Sequence, residues 1–442
     1  MRLIRGIKGR LRGFAAAATV LSLALVVAIP VSADSGGGQT LRIGVGHLDP
    51  DNQQFSTATG NPLNGGRVWS YTDFFTRDIS IHSGDTLDFQ TPPGEFHLIA
   101  VAQDGPTLRA NLPLFTPDVD DPVAPGSGVN KVLLGPGAFA LMSFPSCGLE
   151  QIGQPNCTFD GNPNAPAIAG GIGGAHLKKL LAAISGSKKV TPAAFNGTVD
   201  WNVTVNAAPG DYNYLCLIHP KMNGTVHVVT PGQATTSQGT INAQSLAQFA
   251  TDKAEGQAKY AADNTPTFTL GRHGHKVFDG HVSDNTADGH VSFFEMMPRN
   301  LNLGVGDSVH WTWGPDSELH TVSFLTDSLN LPPPFMPDCG QFGGDDGGPV
   351  PTPFGPYCGD LPPTQAGFEL MADPGNARPG DLSNTNPADP SSVVDSGVLV
   401  GADYGLTPSV QDWSAKASAP GTYAYQCTVH DWMRAVVQVT GA

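Results

Sequence analysis

Residues 209–222 read PGDYNYLCLIHPKM, and residues 420–433 read PGTYAYQCTVHDWM. The proline, the glycine, both tyrosines, the cysteine, the histidine and the methionine coincide in the two stretches without a gap. Similarity at a period of about 211 residues is too long-ranged for a short-repeat solenoid. The sequence therefore predicts two copies of a whole domain.

The similarity extends upstream of both stretches. Residues 84–97 read GDTLDFQTPPGEFH, and residues 306–320 read GDSVHWTWGPDSELH. Each Gly-Asp pair predicts a turn that begins an alternating strand, and each Pro-Gly-Xaa-Tyr predicts a turn before another strand. The β-branched runs Thr225–Val229 and Val436–Thr440 are predicted as the strands that finish the two copies.

Composition agrees with an all-β fold. The chain has 442 residues, with 54 Gly, 38 Pro and only 14% charged residues, which suits strands joined by many turns and long loops. Ala, Gln and Lys favour a helix over Ile241–Asp263, and a shorter helix is predicted near Ala175–Ile184. The predicted divisions are a signal peptide (1–33), a first domain (34–232), a helical linker (233–264) and a second domain (265–442).

The N-terminus is typical of an export signal. Five basic residues precede the apolar run Phe14–Val31. This run ends at the tripeptide Val31-Ser32-Ala33, which has the small residues of a cleavage site. An uncleaved membrane anchor is the alternative, because the apolar run could just span a bilayer. Cleavage predicts an exported protein, located in the periplasm, at the cell surface or outside the cell, and leaves no membrane span.

The remaining chain would be strongly acidic. Loss of residues 1–33 leaves 18 Lys and Arg against 39 Asp and Glu, a net charge of −21. Such a surface disfavours nucleic acid and favours basic partners or simple solubility.

The repeated residues have the chemistry of a blue-copper site. Copper that cycles between two oxidation states takes a thiolate, two imidazoles and a weak axial thioether. One short loop supplies Cys216, His219 and Met222, and His97 can come from a distant strand. The second copy repeats the set, and the sequence therefore predicts two type 1 copper ions per chain. The second set is His320, Cys427, His430 and Met433.

These two sets resemble the ligands of the cupredoxin family and its amicyanin and plastocyanin-like members. The Cys-Xaa-Xaa-His-Xaa-Xaa-Met spacing is similar to the short loop of amicyanin, whereas the plastocyanin and pseudoazurin loops have a longer gap before the methionine. Pro220 after the loop histidine strengthens the resemblance, whereas Asp431 departs from it. The resemblance implies Greek-key β-sandwiches that carry electrons. It also implies that electrons enter and leave through the exposed edges of His219 and His430.

The middle of each copy departs from the small cupredoxins. His97 and Cys216 are 119 positions apart, and His320 and Cys427 are 107 apart, so each copy carries a long insertion. Each insertion holds two more cysteines, which an oxidising compartment favours as a local disulfide, with a second metal site as the alternative. The pairs are Cys147 with Cys157 and Cys339 with Cys358.

Two enzyme classes also use duplicated cupredoxin domains, namely multicopper oxidases and copper nitrite reductases. They resemble this chain less, because they place a histidine directly before the blue-copper cysteine, where this chain has Leu215 and Gln426. A group of four histidines has two interpretations. It could bind a further copper ion, or, as we favour, it belongs to a polar loop whose histidines face solvent. These four are His273, His275, His281 and His290.

An electron carrier is the function that these observations predict. A copper-sequestering surface protein is the non-enzymatic alternative. Pro220 and Trp432, the residues beside the two loops, differ between the copies. Two unequal reduction potentials are therefore expected.

Overall fold

The structure is a computed structural model, and several segments of the chain are described in it. They are residues 38–46, 69–91, 97–112, 115–122, 130–134, 156–164, 166–168, 199–317, 320–324, 336–338, 350–352, 355–357, 367–370, 380–385, 394–396, 400–404, 412–427 and 433–441. The predicted signal peptide and the helix predicted near Ala175–Ile184 lie outside these segments. Among the described residues, neither α-helix is long and apolar enough to cross a membrane.

The described residues of the N-terminal half are mostly in strands. They are β1 (Thr40–Val45), β2 (Trp69–Tyr71), β3 (Phe74–Phe75), β4 (Asp78–His82), β5 (Asp85–Thr91), β6 (Ile99–Ala102), β7 (Phe115–Pro122), β8 (Asn130–Leu134), β9 (Asn156–Phe159), β10 (Ala167–Ile168), β11 (Val199–Val205), β12 (Gly210–Cys216) and β13 (Asn223–Val229). A short helix, α1 (Gly105–Asn111), follows β6, and a 26-residue helix, α2 (Gln238–Asp263), follows β13.

The C-terminal half is also built from strands. They are β14 (Phe268–Leu270), β15 (Lys276–Val282), β16 (Val291–Phe293), β17 (Met296–Met297), β18 (Asn300–Gly304), β19 (Ser308–Trp313), β20 (Ser323–Phe324), β21 (Met336–Asp338), β22 (Val350–Thr352), β23 (Gly355–Tyr357), β24 (Gly367–Leu370), β25 (Gly380–Asp381), β26 (Val394–Asp395), β27 (Asp412–Lys416), β28 (Gly421–Gln426) and β29 (Arg434–Thr440). Three single 3-10 turns join them, at Arg272–Gly274, Leu382–Asn384 and Ala402–Tyr404.

Two five-stranded sheets enclose the core of the N-terminal half. Their strand orders are β3-β1-β5-β11-β9 and β10-β6-β12-β13-β4. Residues alternate between buried and exposed along β13, as expected for a strand with one face in the core. Phe89 of one sheet packs 5.6 Å from Tyr214 of the other, measured between ring centroids. The all-β sandwich prediction is therefore confirmed.

The C-terminal half has equivalent sheets, β14-β15-β19-β27-β25 and β18-β29-β28-β20-β26. In both halves one strand has a parallel neighbour on one side and an antiparallel neighbour on the other. Strand β5 lies in this way between β1 and β11, and β19 lies between β15 and β27. The core is also equivalent, because Trp311 packs 5.5 Å from Tyr425 and stacks on Trp413.

The predicted turns are present in both halves. Gly84 and Gly306 have φ values of +98° and +97°, a conformation that glycine adopts without strain. The Asp85 carboxylate accepts the backbone N–H of Gln39. The Asp307 carboxylate accepts that of Lys276 in the same way. Each aspartate therefore ties the start of one strand to a neighbouring strand.

Three elements join the halves. Strand β2 pairs with β16, and β8 from the first insertion pairs with β24 from the second. Helix α2 begins three residues before the predicted helix because Ser237 caps it, accepting the N–H of Thr240. Its Ile241 lies in the core of the N-terminal half, while Phe249 and Tyr260 pack on a third apolar cluster that includes β2 and β16. The helix is therefore packed against both halves.

Candidate metal centres

Cys216 is the last residue of β12, and its side chain is fully buried. Its backbone N–H donates to the Met222 carbonyl at 2.9 Å, and the Met222 N–H donates to the His219 carbonyl at 3.0 Å. These two bonds close a tight loop after the strand. The loop places His219 Nδ1 3.3 Å from Cys216 Sγ and buries Met222 completely.

His97 reaches the same sulfur from another part of the chain. It lies just before β6, which pairs with β12 so that Ile99 is opposite Cys216. His97 Nδ1 is 3.9 Å from Cys216 Sγ, and the His97 and His219 ring centroids are 5.0 Å apart. One thiol and two imidazoles thus converge within 4.8 Å of one another in the buried end of the sandwich.

The electrostatics of this cluster favour a thiolate. Burial alone would raise the pKa of the Cys216 thiol, but the His219 and His97 imidazoles outweigh burial and hold that pKa well below its usual value. A thiol becomes a strong metal ligand only in its deprotonated form. The site is therefore prepared to present an anionic sulfur to a cation.

Arg109 fixes the loop from the side of helix α1. Its Nη2 donates to the Cys216 carbonyl at 2.9 Å and to Asn223 Oδ1 at 3.0 Å. The sequence gives no signal for this residue, because no local pattern links position 109 to the loop. The guanidinium joins the two ends of the ligand loop, where β12 ends and β13 begins.

The C-terminal half repeats this arrangement in the residues that are described. The Cys427 N–H donates to the Met433 carbonyl at 3.0 Å, and Met433 is buried. His320 Nδ1 lies 3.7 Å from Cys427 Sγ, and the same sulfur accepts the Thr321 N–H at 3.4 Å. His430, the remaining predicted ligand, lies outside the described residues.

The donor set fits copper better than a hard cation. Buried sulfur and imidazole donors suit copper, while calcium and magnesium take oxygen ligands. A backbone hydrogen bond joins each cysteine to a buried methionine, and a thioether is the weak axial ligand of blue-copper sites. His97, Cys216, His219 and Met222 would hold one ion, and His320, Cys427 and Met433 would contribute to a second.

One expectation about the loop is wrong. The resemblance implied an exposed edge for His219, but this residue is only 3% exposed. Residues of the C-terminal half lie over the loop, and the Lys221 Nζ–Asp403 Oδ2 ion pair of 3.1 Å is one of the contacts. The reason is tertiary, because a local motif cannot report what another half of the chain covers.

The four additional histidines do not form one cluster. His273 and His275 are exposed. His281 lies with Asp263 and Asp284, and His290 lies in a different group with two other aspartates.

Cations of the chain itself already occupy both acidic groups. Lys259 Nζ lies 2.7 Å from Asp263 and also contacts Asp284. Arg77 likewise contacts Asp73 and lies 3.0 Å from Asp252. These groups are ion-pair networks between α2 and the two halves. His281 and His290 are half-buried beside them, so the interpretation of a solvated loop is right for His273 and His275 and wrong for the other two.

Of the four cysteines in the two insertions, one lies among the described residues. Cys157 lies in β9, where its sulfur accepts the indole N–H of Trp201 at 3.2 Å. The other three lie outside the described residues, so both disulfides stay predictions. These three are Cys147, Cys339 and Cys358.

Comparison with known proteins gives structural neighbours only. No protein-family model matches the chain, and no curated protein matches it. A reduced Cu(I) form of an amicyanin mutant at pH 4 is 14% identical, with 40% of this chain and 93% of that chain covered and a TM-score of 0.17. An oxidized plastocyanin from Dryopteris crassirhizoma is 15% identical, with 37% and 99% covered and a TM-score of 0.16. At these TM-scores the neighbours carry no argument about this chain.

Proposed function

We propose that the protein is an exported copper protein that transfers electrons through two type 1 copper sites, one in each of two duplicated cupredoxin-like domains. The observation that carries the proposal is the buried Cys216 thiol, with two imidazole nitrogens 3.3 and 3.9 Å away and Met222 held on the same loop. Its counterpart is Cys427, with His320 Nδ1 at 3.7 Å and Met433 on the equivalent turn.

Copper bound to such a set supplies one-electron chemistry, and the chain supplies the geometry. The Cys216–Met222 and Cys427–Met433 backbone bonds hold sulfur and thioether on the rigid ends of paired strands. A rigid ligand loop changes little between oxidation states, which favours fast transfer. Residues 215 and 426 are buried Leu and Gln, so neither copy has the histidine that couples a blue copper to a catalytic one.

Measuring electron exchange with a basic cytochrome distinguishes an electron carrier from a copper-sequestering protein and from an enzyme. The copper-loaded, oxidised chain is mixed with reduced cytochrome c in a stopped-flow instrument, and cytochrome oxidation is followed. The carrier accepts two electrons per chain within seconds. Tight copper binding without exchange would favour sequestration, and continued turnover with oxygen or nitrite would favour an enzyme.

A further inference from the structure

The ligand loop of the N-terminal half is buried from Cys216 to His219. Leu217 and Ile218 are each 3% exposed, as is His219. The apolar core of the N-terminal half explains the inward-facing side of this loop. Its outward-facing side is covered by residues that belong to the C-terminal half.

Three segments of the C-terminal half form this cover, namely residues 287–289, 314–317 and 400–404. Lys221, two positions after His219, makes the 3.1 Å ion pair with Asp403 and lies 3.5 Å from the Ala287 carbonyl. Val400 is 3% exposed and packs in the N-terminal core cluster, which Tyr404 also contacts. The cover is thus held by both charge and apolar contact.

The backbone at Gly289 approaches the loop very closely. A Cβ atom added there would lie 2.6 Å from Lys221 Cδ and 2.9 Å from Asp316 Oδ2. The added atom would also lie 2.9 Å from Lys221 Cβ, which is fixed to the loop backbone. All three distances are below van der Waals contact, and because the Lys221 Cβ cannot rotate away, the added atom would displace this part of the cover from the loop.

Asp316 is the charged residue at the centre of the cover. It is 1% exposed, and neither carboxylate oxygen has a hydrogen bond of good geometry within the described residues. Burial raises the pKa of Asp316 to about 7, and the nearby His219 and Lys221 act in the opposite direction. A buried carboxylate of this kind is costly unless it serves a neighbouring positive group.

We propose that the C-terminal half closes the N-terminal metal pocket, and that the buried Asp316 carboxylate places a negative charge beside the ligand loop at Lys221. The effect of this charge on the metal rests on the proposed function, because it is measured on the copper site. The closure does not, since it concerns only the solvent access of the pocket.

Closure changes where a redox partner acts. A partner protein does not touch His219 directly, since the C-terminal half occupies that surface. Asp316 also precedes the candidate ligand His320 by only four positions. The same segment of chain therefore leads from the wall of one pocket to a ligand of the other.

Thiol labelling of the metal-free chain tests the closure. Gly289→Ala is compared with Gly274→Ala, because both glycines have a positive φ (+77° and +79°) but an added Cβ at Gly274 meets nothing within 4 Å. Labelling of Cys216 by N-ethylmaleimide is located by peptide mass spectrometry. We expect at least about tenfold faster labelling in Gly289→Ala, since labelling follows local opening. Equal rates in the two variants would overturn the closure.

The reduction potential tests the effect of the Asp316 charge. In a Cys427→Ser background, only the N-terminal site gives the sulfur-to-copper absorption. Asp316→Asn removes a buried negative charge that stabilises the more positive oxidised site, so the midpoint potential rises. Asp403→Asn, which changes a side chain that is 33% exposed, gives a smaller rise because solvent screens it. An equal or smaller rise for Asp316→Asn would overturn the effect of the Asp316 charge.

The labelling experiment and the copper spectra also show whether the closure or the proposed function has failed. If the unaltered chain lacks the copper absorption but Gly289→Ala still labels faster, the proposed function fails and the closure stands. If the copper spectra are as expected but the labelling rates are equal, the closure fails alone.

Discussion

The two sulfur pockets share one design but differ in what surrounds them. Phe89 stacks on Trp201 at 5.6 Å in one half, and Trp311 stacks on Trp413 at 5.4 Å in the other. The backbone hydrogen bond from the cysteine N–H to the methionine carbonyl is 2.9 Å long in the N-terminal half and 3.0 Å long in the C-terminal half. For the N-terminal loop, the structure also describes an anchor, Arg109, and a cover from the C-terminal half, whereas residues 428–432 of the other loop lie outside the described residues.

This difference shows what a sequence repeat determines. Core aromatics and the sulfur turn recur because they depend on residues at matching positions within each copy. The surroundings of a pocket depend on how the halves pack, which the repeated residues do not specify. Equivalent ligand sets therefore do not by themselves imply equivalent surroundings, and the following measurements test how far the equivalence extends.

The largest expected effect is loss of one site without the other. Cys216→Ser and Cys427→Ser each remove the thiolate that dominates the copper absorption, so each should halve the intensity near 600 nm, about the region where copper–thiolate bands lie. Absorption and metal content of the loaded variants check this. Complete loss in either variant would show that the pockets depend on each other.

The core aromatics are expected to be equally important. Phe89→Ala and Trp311→Ala each remove a fully buried ring, and such changes cost about 3–5 kcal/mol. Chemical denaturation of the metal-free variants measures the loss of unfolding free energy. A loss below about 1 kcal/mol in one half would break the equivalence of the two cores.

The reduction potentials should differ between the sites. The covered N-terminal loop and the loop residues that differ between the copies, Pro220 and Lys221 against Asp431 and Trp432, predict two midpoints separated by more than about 60 mV, which corresponds to about 1.4 kcal/mol for one electron. A spectroscopic redox titration resolves them. A single midpoint shared by both sites would contradict the prediction.

The ion-pair network between the halves should make stability depend on pH. Burial and the neighbouring Asp73 raise the pKa of Asp252 to about 8, although Arg77 opposes them. The folded chain then binds more protons than the unfolded chain between about pH 4 and 8, so the unfolding free energy falls as pH rises, by at most about 1.4 kcal/mol per pH unit.

Asp252→Asn removes the titrating group and should flatten this slope. Denaturation at a series of pH values from 5 to 8, roughly the span between the two pKa values, measures it. Asp412→Asn, which alters a side chain that is 67% exposed, is the control and should keep the slope. An unchanged slope in Asp252→Asn would contradict the assignment.

The smallest expected effect concerns two matching tyrosines. The Tyr212 hydroxyl donates to the Ala208 carbonyl at 2.9 Å, and the Tyr423 hydroxyl donates to the Ala419 carbonyl at 3.0 Å. Replacement of either tyrosine by phenylalanine should cost about 1 kcal/mol of unfolding free energy. Thermal unfolding of the pair checks whether the two losses agree.

Much of the fold could be predicted because its signals are local. The Gly-Asp turns, the strands that begin after Pro209 and Pro420, and the helix near residue 241 follow from turn chemistry and composition. The sequence also predicted which residues gather around Cys216, because identical spacing in two copies is hard to explain by core packing alone.

The missed features are contacts between distant parts of the chain. Asp316 lies in a turn with no pattern of its own, and Arg109 lies in a short helix inside an insertion. The pairing of β8 with β24 joins strands from both insertions, which share no sequence similarity that would indicate it. Such contacts follow from the packing of the halves and require coordinates.

Electron paramagnetic resonance of the copper-loaded, oxidised chain tests the central proposal most directly. Integration of the spectrum against a copper standard should give two copper ions per chain, both with the small parallel hyperfine splitting of copper bound to a cysteine sulfur. A spectrum with only the large splitting of copper bound by nitrogen and oxygen, or with no bound copper, would contradict it.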